Sequence, residues 1–285
     1  MKDFSIEFVT KEFEELIIAT QNSINQDKSL SFWKTDFGKH LVLRNFQLAY
    51  NYFRSVLLIS ENDDETLLIT VTPLTRASLE ILFSIIYLLE NFEIRTLDSA
   101  KSFYREGCRE IRELKNIYSG KSVDWDTWIR VKTGNLETIK TQFENEFSVH
   151  GYSEFDWEND NNQFPRLGKM KKSFDENSET FKFLKFLDDI YNRELSGISH
   201  SEPFAVALFS SILHKNGEII RKQYKGKNIG LCLVILIGLI SEIENNLNYG
   251  VKPRLRELWN KLVNLSDTDI AKEFYEMRYK NLLSE

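Results

Sequence analysis

An arginine and a histidine lie seven positions apart in the segment YNRELSGISH, and together these two side chains could act on a phosphate ester. Residues seven apart in an α-helix lie within about 20° of the same direction, so Arg193 and His200 share a face if the helix continues through both. Imidazole exchanges protons near neutral pH, and the planar guanidinium donates to phosphate oxygens. Arg193 and His200 are therefore the leading candidates for phosphoryl chemistry, and Ser196 lies between them on this face.

A second group of polar side chains forms one stripe along the segment TPLTRASLEILFSIIYLLEN, which is apolar around most of its circumference: Thr72, Arg76, Glu80, Ser84 and Tyr87. A helix of this composition is predicted to be buried. Its Arg76 and Glu80 are four residues apart, and burying such a pair is costly unless both groups are fully hydrogen-bonded. We therefore expect the stripe to face the helix that carries Arg193. The side chains predicted to converge there within hydrogen-bonding range are Arg76, Glu80, Tyr191, Ser196 and His200.

The elements that would position this site are predicted to be helices. Apolar residues recur at intervals of three and four through most of the chain, and alternation with a period of two is nearly absent. The predicted helices cover residues 3–26, 34–60, 66–92, 97–118, 177–196, 201–215, 228–249, 253–264 and 267–283. Three of these segments are too apolar to face water, and we expect them at the centre of an all-α, multi-helix bundle: 66–92, 177–196 and 228–249.

Residues 119–176 differ in composition from the rest of the chain, since Gly, Asn, Asp and Trp are frequent there. We interpret this segment as an insertion or lid that contains one or two short helices around residues 125–146. Long connections of this kind are often functional. The prediction is a single helical domain over residues 1–285, with the polar insertion inside it.

Composition narrows the class of protein. A net charge of -6 disfavours a protein that coats nucleic acid, although it leaves room for a small basic cleft. Cys108 and Cys232 lie in apolar, helix-like surroundings, and no Cys/His spacing fits a zinc site. We expect reduced cysteines, no metal, no cofactor and a cytoplasmic location. The most apolar run, residues 231–240, has about half of the roughly 20 residues needed to span a bilayer, so no membrane association is expected.

The two segments resemble a known superfamily. Arg193 and His200 near a helix end are similar to the Arg-x4-6-His motif of the HEPN superfamily (higher eukaryotes and prokaryotes nucleotide-binding). RASLEILFSIIYL and YNRELSGISH resemble, more closely, an uncharacterised bacterial helical family with an Arg-x3-Glu helix and a Tyr-x4-Ser-x3-His helix end. The matching positions are Arg76, Glu80, Tyr191, Ser196 and His200, within residues 75–210.

The resemblance implies a HEPN-like core with additional helices, and a metal-independent endoribonuclease of the kind found in bacterial toxin and phage-defence systems. His200 would be the catalytic base or acid and Arg193 the phosphate clamp, while Glu80 would orient His200 or Arg76. The residues implied to bind substrate are Arg76, Tyr191 and Ser196. The expected ligand is RNA or a nucleotide, and the expected assembly is a homodimer with its motifs apposed.

The residues themselves leave a second interpretation open. A buried Arg–Glu pair that faces a serine and a histidine is also what a purely structural network would look like. Glu194 follows Arg193 directly, whereas active HEPN nucleases usually carry a small polar residue at this position. The Glu194 carboxylate would repel a phosphate. The alternative is a non-catalytic helical module that binds a partner protein or a nucleotide, with a structural polar cluster.

Overall fold

The chain is all-α, as the sequence predicts. The structure, a computed structural model, describes residues 6–28, 32–62, 64–152, 157, 164–165, 167–199, 202–265 and 269–284. About 85% of the chain is helical, and these described residues contain no strand. The three-and-four periodicity of apolar residues therefore identified the fold class correctly.

The α-helices account for most of the described residues. In chain order they are α1 (Ile6–Gln26), α2 (Asp36–Glu61), α3 (Val71–Glu90), α4 (Phe92–Tyr118), α5 (Val123–Ser148), α6 (Leu167–Met170), α7 (Glu179–Phe186), α8 (Arg193–Ser199), α9 (Pro203–Leu213), α10 (Glu218–Leu247), α11 (Lys252–Leu265), α12 (Ile270–Phe274) and α13 (Lys280–Leu282). The remaining helical segments are the 3-10 turns Glu65–Thr70 and Lys171–Ser173 and the π-helical segments Leu187–Asn192 and Tyr275–Tyr279.

Two helices are longer than predicted. The region expected to hold one or two short helices forms the single 26-residue helix α5. The predicted helix at 228–249 begins earlier, at Glu218, although residues 218–227 are mostly polar. That first part is held by Tyr224, which is buried, and by Lys227, whose ammonium pairs with Glu194. An ion pair such as Lys227–Glu194 stabilises a helix although the local sequence shows no periodic pattern of apolar residues.

The chain divides into two compact units. The first consists of Met1–Asp27, Val42–Leu89 and Arg166–Glu285, and the second of Lys28–Leu41 and Glu90–Pro165. The segment 119–176, predicted as an insertion or lid, supplies α5 to the second unit and α6 to the first.

The core of the first unit surrounds α10 and is rich in aromatic rings. Trp259 and Tyr279 stack with their centroids 4.8 Å apart, and Phe183 meets Tyr279 edge-on at 5.6 Å. Tyr279 lies so close to α10 that a Cβ at position 238 would be 2.6 Å from its hydroxyl oxygen. Gly238 therefore allows the α10 backbone to approach this cluster.

A buried ion pair joins α10 to the C-terminal helices. The Arg278 guanidinium pairs with Glu242, of which only 2% is exposed, and one of its nitrogens donates to Glu242 Oε2 at 2.8 Å. Arg278 also donates to Thr180 Oγ1 at 3.0 Å. These hydrogen bonds compensate part of the cost of removing both charges from water.

The second unit is built on α4 and α5, which pack antiparallel. Tyr104 donates to Glu137 at 2.9 Å near the middle of the pair, and Lys132 pairs with Glu110 farther along. The Ser122 hydroxyl caps α5 by accepting from Trp125 N at 3.2 Å. Between the helices lies an apolar core with the following buried residues: Leu97, Ala100, Tyr104, Ile111, Ile129, Leu136, Phe143, Phe147 and Trp157.

Among the described residues, two helical stretches are long and apolar enough to cross a membrane by length and composition alone. They are Glu65–Glu90 and Glu218–Leu247, and 56% and 78% of their most apolar windows are buried inside the protein. A buried core helix meets the same criterion.

Candidate functional site

A continuous helical run from α7 through Leu187–Asn192 to α8 carries the predicted Arg193 site. Its start is fixed by Ser178, whose hydroxyl accepts from Phe181 N at 3.1 Å. Between the two α-helices, the Arg193 backbone N–H donates to Asp188 O, five residues earlier. This wider turn places Arg193 at the first position of α8. Single π-turns occur often at functional sites.

Arg193 presents its guanidinium to solvent. Its side chain is 75% exposed, and it pairs with Asp189 Oδ1 at 3.3 Å, one turn earlier. Exposed pairs of this kind contribute at most about 1 kcal/mol, so a phosphate could displace Asp189 at little cost. This arrangement suits a side chain that binds an anionic ligand.

Glu194, next in the chain, is neutralised by a lysine of α10. Lys227 Nζ lies 2.5 Å from Glu194 Oε1 and 2.7 Å from its Oε2. The negative charge that the sequence places beside Arg193 is thus balanced within the protein, and its repulsion of a phosphate is reduced. Glu194 and Lys227 are 33 residues apart in the chain, so local sequence patterns could not predict that they pair.

The π-helical segment is anchored by Asp188. Asp188 Oδ1 accepts from Asn192 Nδ2 at 2.9 Å, and its other oxygen pairs with Lys171. Burial would raise the pKa of Asp188, but the hydrogen bonds from Lys171 and Asn192 outweigh burial and hold the pKa below its ordinary value. Neither Asp188 nor Lys171 was among the residues that the sequence indicated for this site.

Tyr191 has a partner far along the chain. Its hydroxyl donates to Glu273 Oε2 at 2.9 Å, and 4% of the residue is exposed. Burial, followed by the hydrogen bond to Glu273, raises the pKa of Tyr191 far above its ordinary value. This tyrosine, predicted to bind substrate, therefore links the π-helical segment to α12. The sequence carried no signal that Glu273 would be its partner.

Arg76 and Glu80 pair with each other on α3. Arg76 Nε lies 3.1 Å from Glu80 Oε1, and 24% and 41% of the two side chains are exposed. At the ends of the predicted stripe, Thr72 contacts the Tyr224 hydroxyl in the core, and the Tyr87 ring packs edge-on against Phe174. The stripe is thus buried at its ends and half-buried in its middle, which lowers the cost of desolvating the charged pair.

The two remaining candidates lie on and just beyond α8. Ser196 is half-buried on this helix, whereas His200 lies outside the described residues. Glu202, at the start of the next helix, donates its backbone N–H to Gly197 O at 3.1 Å. The proposed convergence of the five side chains stays a prediction. The Arg76–Glu80 pair joins two of them, whereas the Tyr191 hydroxyl donates to Glu273, which is not one of the five.

Within the described ranges, no group of three or more His, Cys, Asp or Glu residues is arranged to hold a metal ion. Comparison with known proteins finds no family that matches this chain, no curated protein similar to it in sequence and no solved structure similar to it in fold.

Proposed function

We propose that this protein is a HEPN-like, metal-independent endoribonuclease in which Arg193 binds the scissile phosphate and His200 acts as base or acid. The observation that carries the proposal is the solvent-exposed guanidinium of Arg193 at the first position of a regular α-helix that runs to Ser199. Residues seven apart in an α-helix are separated by nearly two full turns and so lie on one face. The helical conformation of residues 193–199 therefore supports the proposal that positions 193 and 200 share a face.

The chemistry follows from the two side chains. His200 would accept the proton of a ribose 2′-hydroxyl, whose oxygen attacks the adjacent phosphorus and expels the 5′-oxygen of the next nucleotide. Arg193 would donate to the phosphate oxygens as negative charge accumulates on them. Glu194 does not oppose this, because Lys227 holds both of its oxygens. A single histidine in each site supports a homodimer with apposed motifs, and the departing 5′-oxygen would then be protonated from the second copy.

The direct test is cleavage of single-stranded and structured RNA by the purified protein in excess EDTA. We expect products that end in 2′,3′-cyclic phosphate. His200→Ala should lower the rate by at least about 100-fold, which is the typical contribution of general acid–base catalysis. Arg193→Ala should do likewise. Arg256→Ala, at an exposed arginine of α11, is the matched control and should leave the rate unchanged.

Two results would reject the nuclease. One is a wild-type protein that cleaves none of these RNAs, and the other is a His200→Ala variant whose only defect is lost stability. Light scattering on the same samples tests the homodimer, because a monomer at the concentration of full activity is incompatible with catalysis across two copies.

A second candidate is a non-catalytic module that binds a nucleotide or a partner protein. The Tyr191–Glu273 hydrogen bond and the Arg76–Glu80 pair favour it, because side chains predicted to bind substrate already have partners within the protein. Calorimetric binding of AMP without turnover, weakened by Arg193→Ala and unchanged by Arg256→Ala, would support this candidate over the nuclease.

A further inference from the structure

Three aromatic rings lie in contact where α4 ends and α5 begins, and we call these three residues the aromatic row. Tyr118 and Trp125 stack with their centroids 4.1 Å apart and their planes at 13°. The Trp128 ring meets Trp125 edge-on, with a centroid distance of 5.6 Å. The two tryptophans are 38% and 40% exposed. The rings therefore hold one another in place while part of their area stays open to a ligand.

A lysine contacts the ring at each end of the aromatic row. The Lys121 ammonium lies 5.4 Å from the centroid of Tyr118, and the Lys132 ammonium lies 4.6 Å from the centroid of Trp128. Lys132 also pairs with Glu110 on α4. Contacts between an ammonium and a ring are weak at exposed sites, so the Lys121 ammonium can turn to an anion at little cost.

The charge around the aromatic row differs in sign from that of the whole chain. Residues 109–132 contain six Lys or Arg and four Asp or Glu, whereas the whole chain contains 37 and 43. Three of these carboxylates already have favourable surroundings: Glu110 pairs with Lys132, Asp126 accepts a backbone N–H of the turn before α5, and Asp124 lies in the first turn of α5. An acidic protein thus presents a local excess of positive charge beside three rings, which favours an anionic ligand.

We propose that the aromatic row binds single-stranded RNA, whose bases stack on the rings while its phosphates contact the flanking lysines. Exposed aliphatic side chains nearby in the sequence, such as Val123 at 81%, would also suit a protein partner. The lysines on the rings favour a chain that carries both flat bases and negative charge. The choice of RNA rests on the proposed nuclease, whereas the row itself lies in the second compact unit and contains none of the proposed catalytic residues.

Stacking is tested by the fluorescence anisotropy of dye-labelled 2′-O-methyl oligouridine titrated with the full chain. The blocked 2′-hydroxyl cannot attack a phosphate, so binding is measured separately from cleavage and a failure of the nuclease leaves this result intact. Trp128→Leu keeps apolar bulk and removes the ring, and we expect it to weaken binding by about tenfold. Phe103→Ala, at a phenylalanine of α4 that is 52% exposed, is the matched control and should bind as the wild type does.

The phosphate contact is tested by the salt dependence of the same titration. Each phosphate neutralised on a single strand adds about 0.7 to the slope of log affinity against log salt, so Lys121→Gln should make the slope shallower by about 0.7. Lys272→Gln, at an exposed lysine of α12, should leave the slope unchanged.

Four results would overturn the proposal. A wild type that does not bind the oligonucleotide would leave the rings to a protein partner. Unchanged affinity in Trp128→Leu would exclude stacking, and an unchanged slope in Lys121→Gln would exclude the phosphate contact. If circular dichroism shows that Trp128→Leu is unfolded, the ring serves the packing of the second unit instead.

Discussion

At the scale of single residues, one carboxylate organises the end of the longest helix. Glu244 near the end of α10 is 1% exposed, and its oxygens accept from four consecutive backbone N–H groups at 2.8 to 3.3 Å. The first of these donors is Tyr249 and the last is Lys252, where α11 begins. The carboxylate therefore stabilises the turn between the helices and also complements the positive end of the α11 dipole.

We predict that Glu244→Gln lowers the free energy of unfolding by about 1 to 2 kcal/mol, because the amide nitrogen replaces one of the two acceptor oxygens and leaves part-buried N–H donors without an acceptor. Urea denaturation followed by circular dichroism measures the change. Glu257→Gln is the control, since Glu257 forms an exposed pair with Lys261, and it should stay within about 0.5 kcal/mol of the wild type. Equal losses in the two variants would contradict this account of Glu244.

Single residues also show where sequence reasoning stops. Arg76 and Glu80 could be paired in advance, since four residues along a helix bring side chains together. The partners of Tyr191 and Glu194 could not, because Glu273 and Lys227 lie 82 and 33 residues away along the chain. Helical periodicity indicates which face of a helix is buried, but it does not identify the helix that covers that face.

At the scale of elements, the π-helical segment before α8 was not predicted, although the helix around it was. The segment 177–196 was expected as one helix, and the structure continues it to Ser199 with a wider turn at Leu187–Asn192. The turn depends on Asp188, whose carboxylate joins Asn192 in the same segment to Lys171 outside it. The spacing of apolar residues in this segment is the same for a π-turn as for an α-turn, so it does not predict the wider turn.

The stability that Asp188 contributes should depend on pH in a defined direction. Its pKa in the folded protein is below the ordinary value of 3.8, so its contribution is fully present above that value and is lost as the pH falls through the folded pKa. We predict that Asp188→Asn costs about 1 kcal/mol of unfolding free energy at pH 7, and that the difference from the wild type narrows below about pH 4. Urea denaturation at a series of pH values measures both.

The adjacent Asp189 is the matched control for Asp188. Its carboxylate pairs with the exposed guanidinium of Arg193, so Asp189→Asn should change stability by less than about 0.5 kcal/mol at either pH. If Asp189→Asn reproduces the full pH-dependent loss, the anchor of the π-helical segment has been assigned to the wrong aspartate.

At the scale of the whole molecule, the sequence predicted the all-α class correctly. It did not predict that the chain divides into two compact units. The second unit joins Lys28–Leu41 to Glu90–Pro165, segments separated by 48 residues from Val42 to Leu89. Its internal contacts include Lys34 with Glu93, and Phe37 N with Glu146. Contacts of such range are set by tertiary packing, which a composition change at 119–176 cannot reveal.

Each unit has its own aromatic core, so a cavity made in one core should loosen that unit first. Phe147 is 1% exposed in the second unit and Phe183 is fully buried in the first. Replacing either by Ala should cost about 3 to 5 kcal/mol locally. We predict that hydrogen exchange in Phe147→Ala accelerates mainly in α4 and α5, and in Phe183→Ala mainly in α7, α10 and α12.

Phe103→Ala, at a phenylalanine of α4 that is 52% exposed, should have a smaller effect than Phe147→Ala. Equal acceleration across both units in the two core variants would mean that the chain opens as one cooperative structure, because the loss of either core would then be felt throughout the chain.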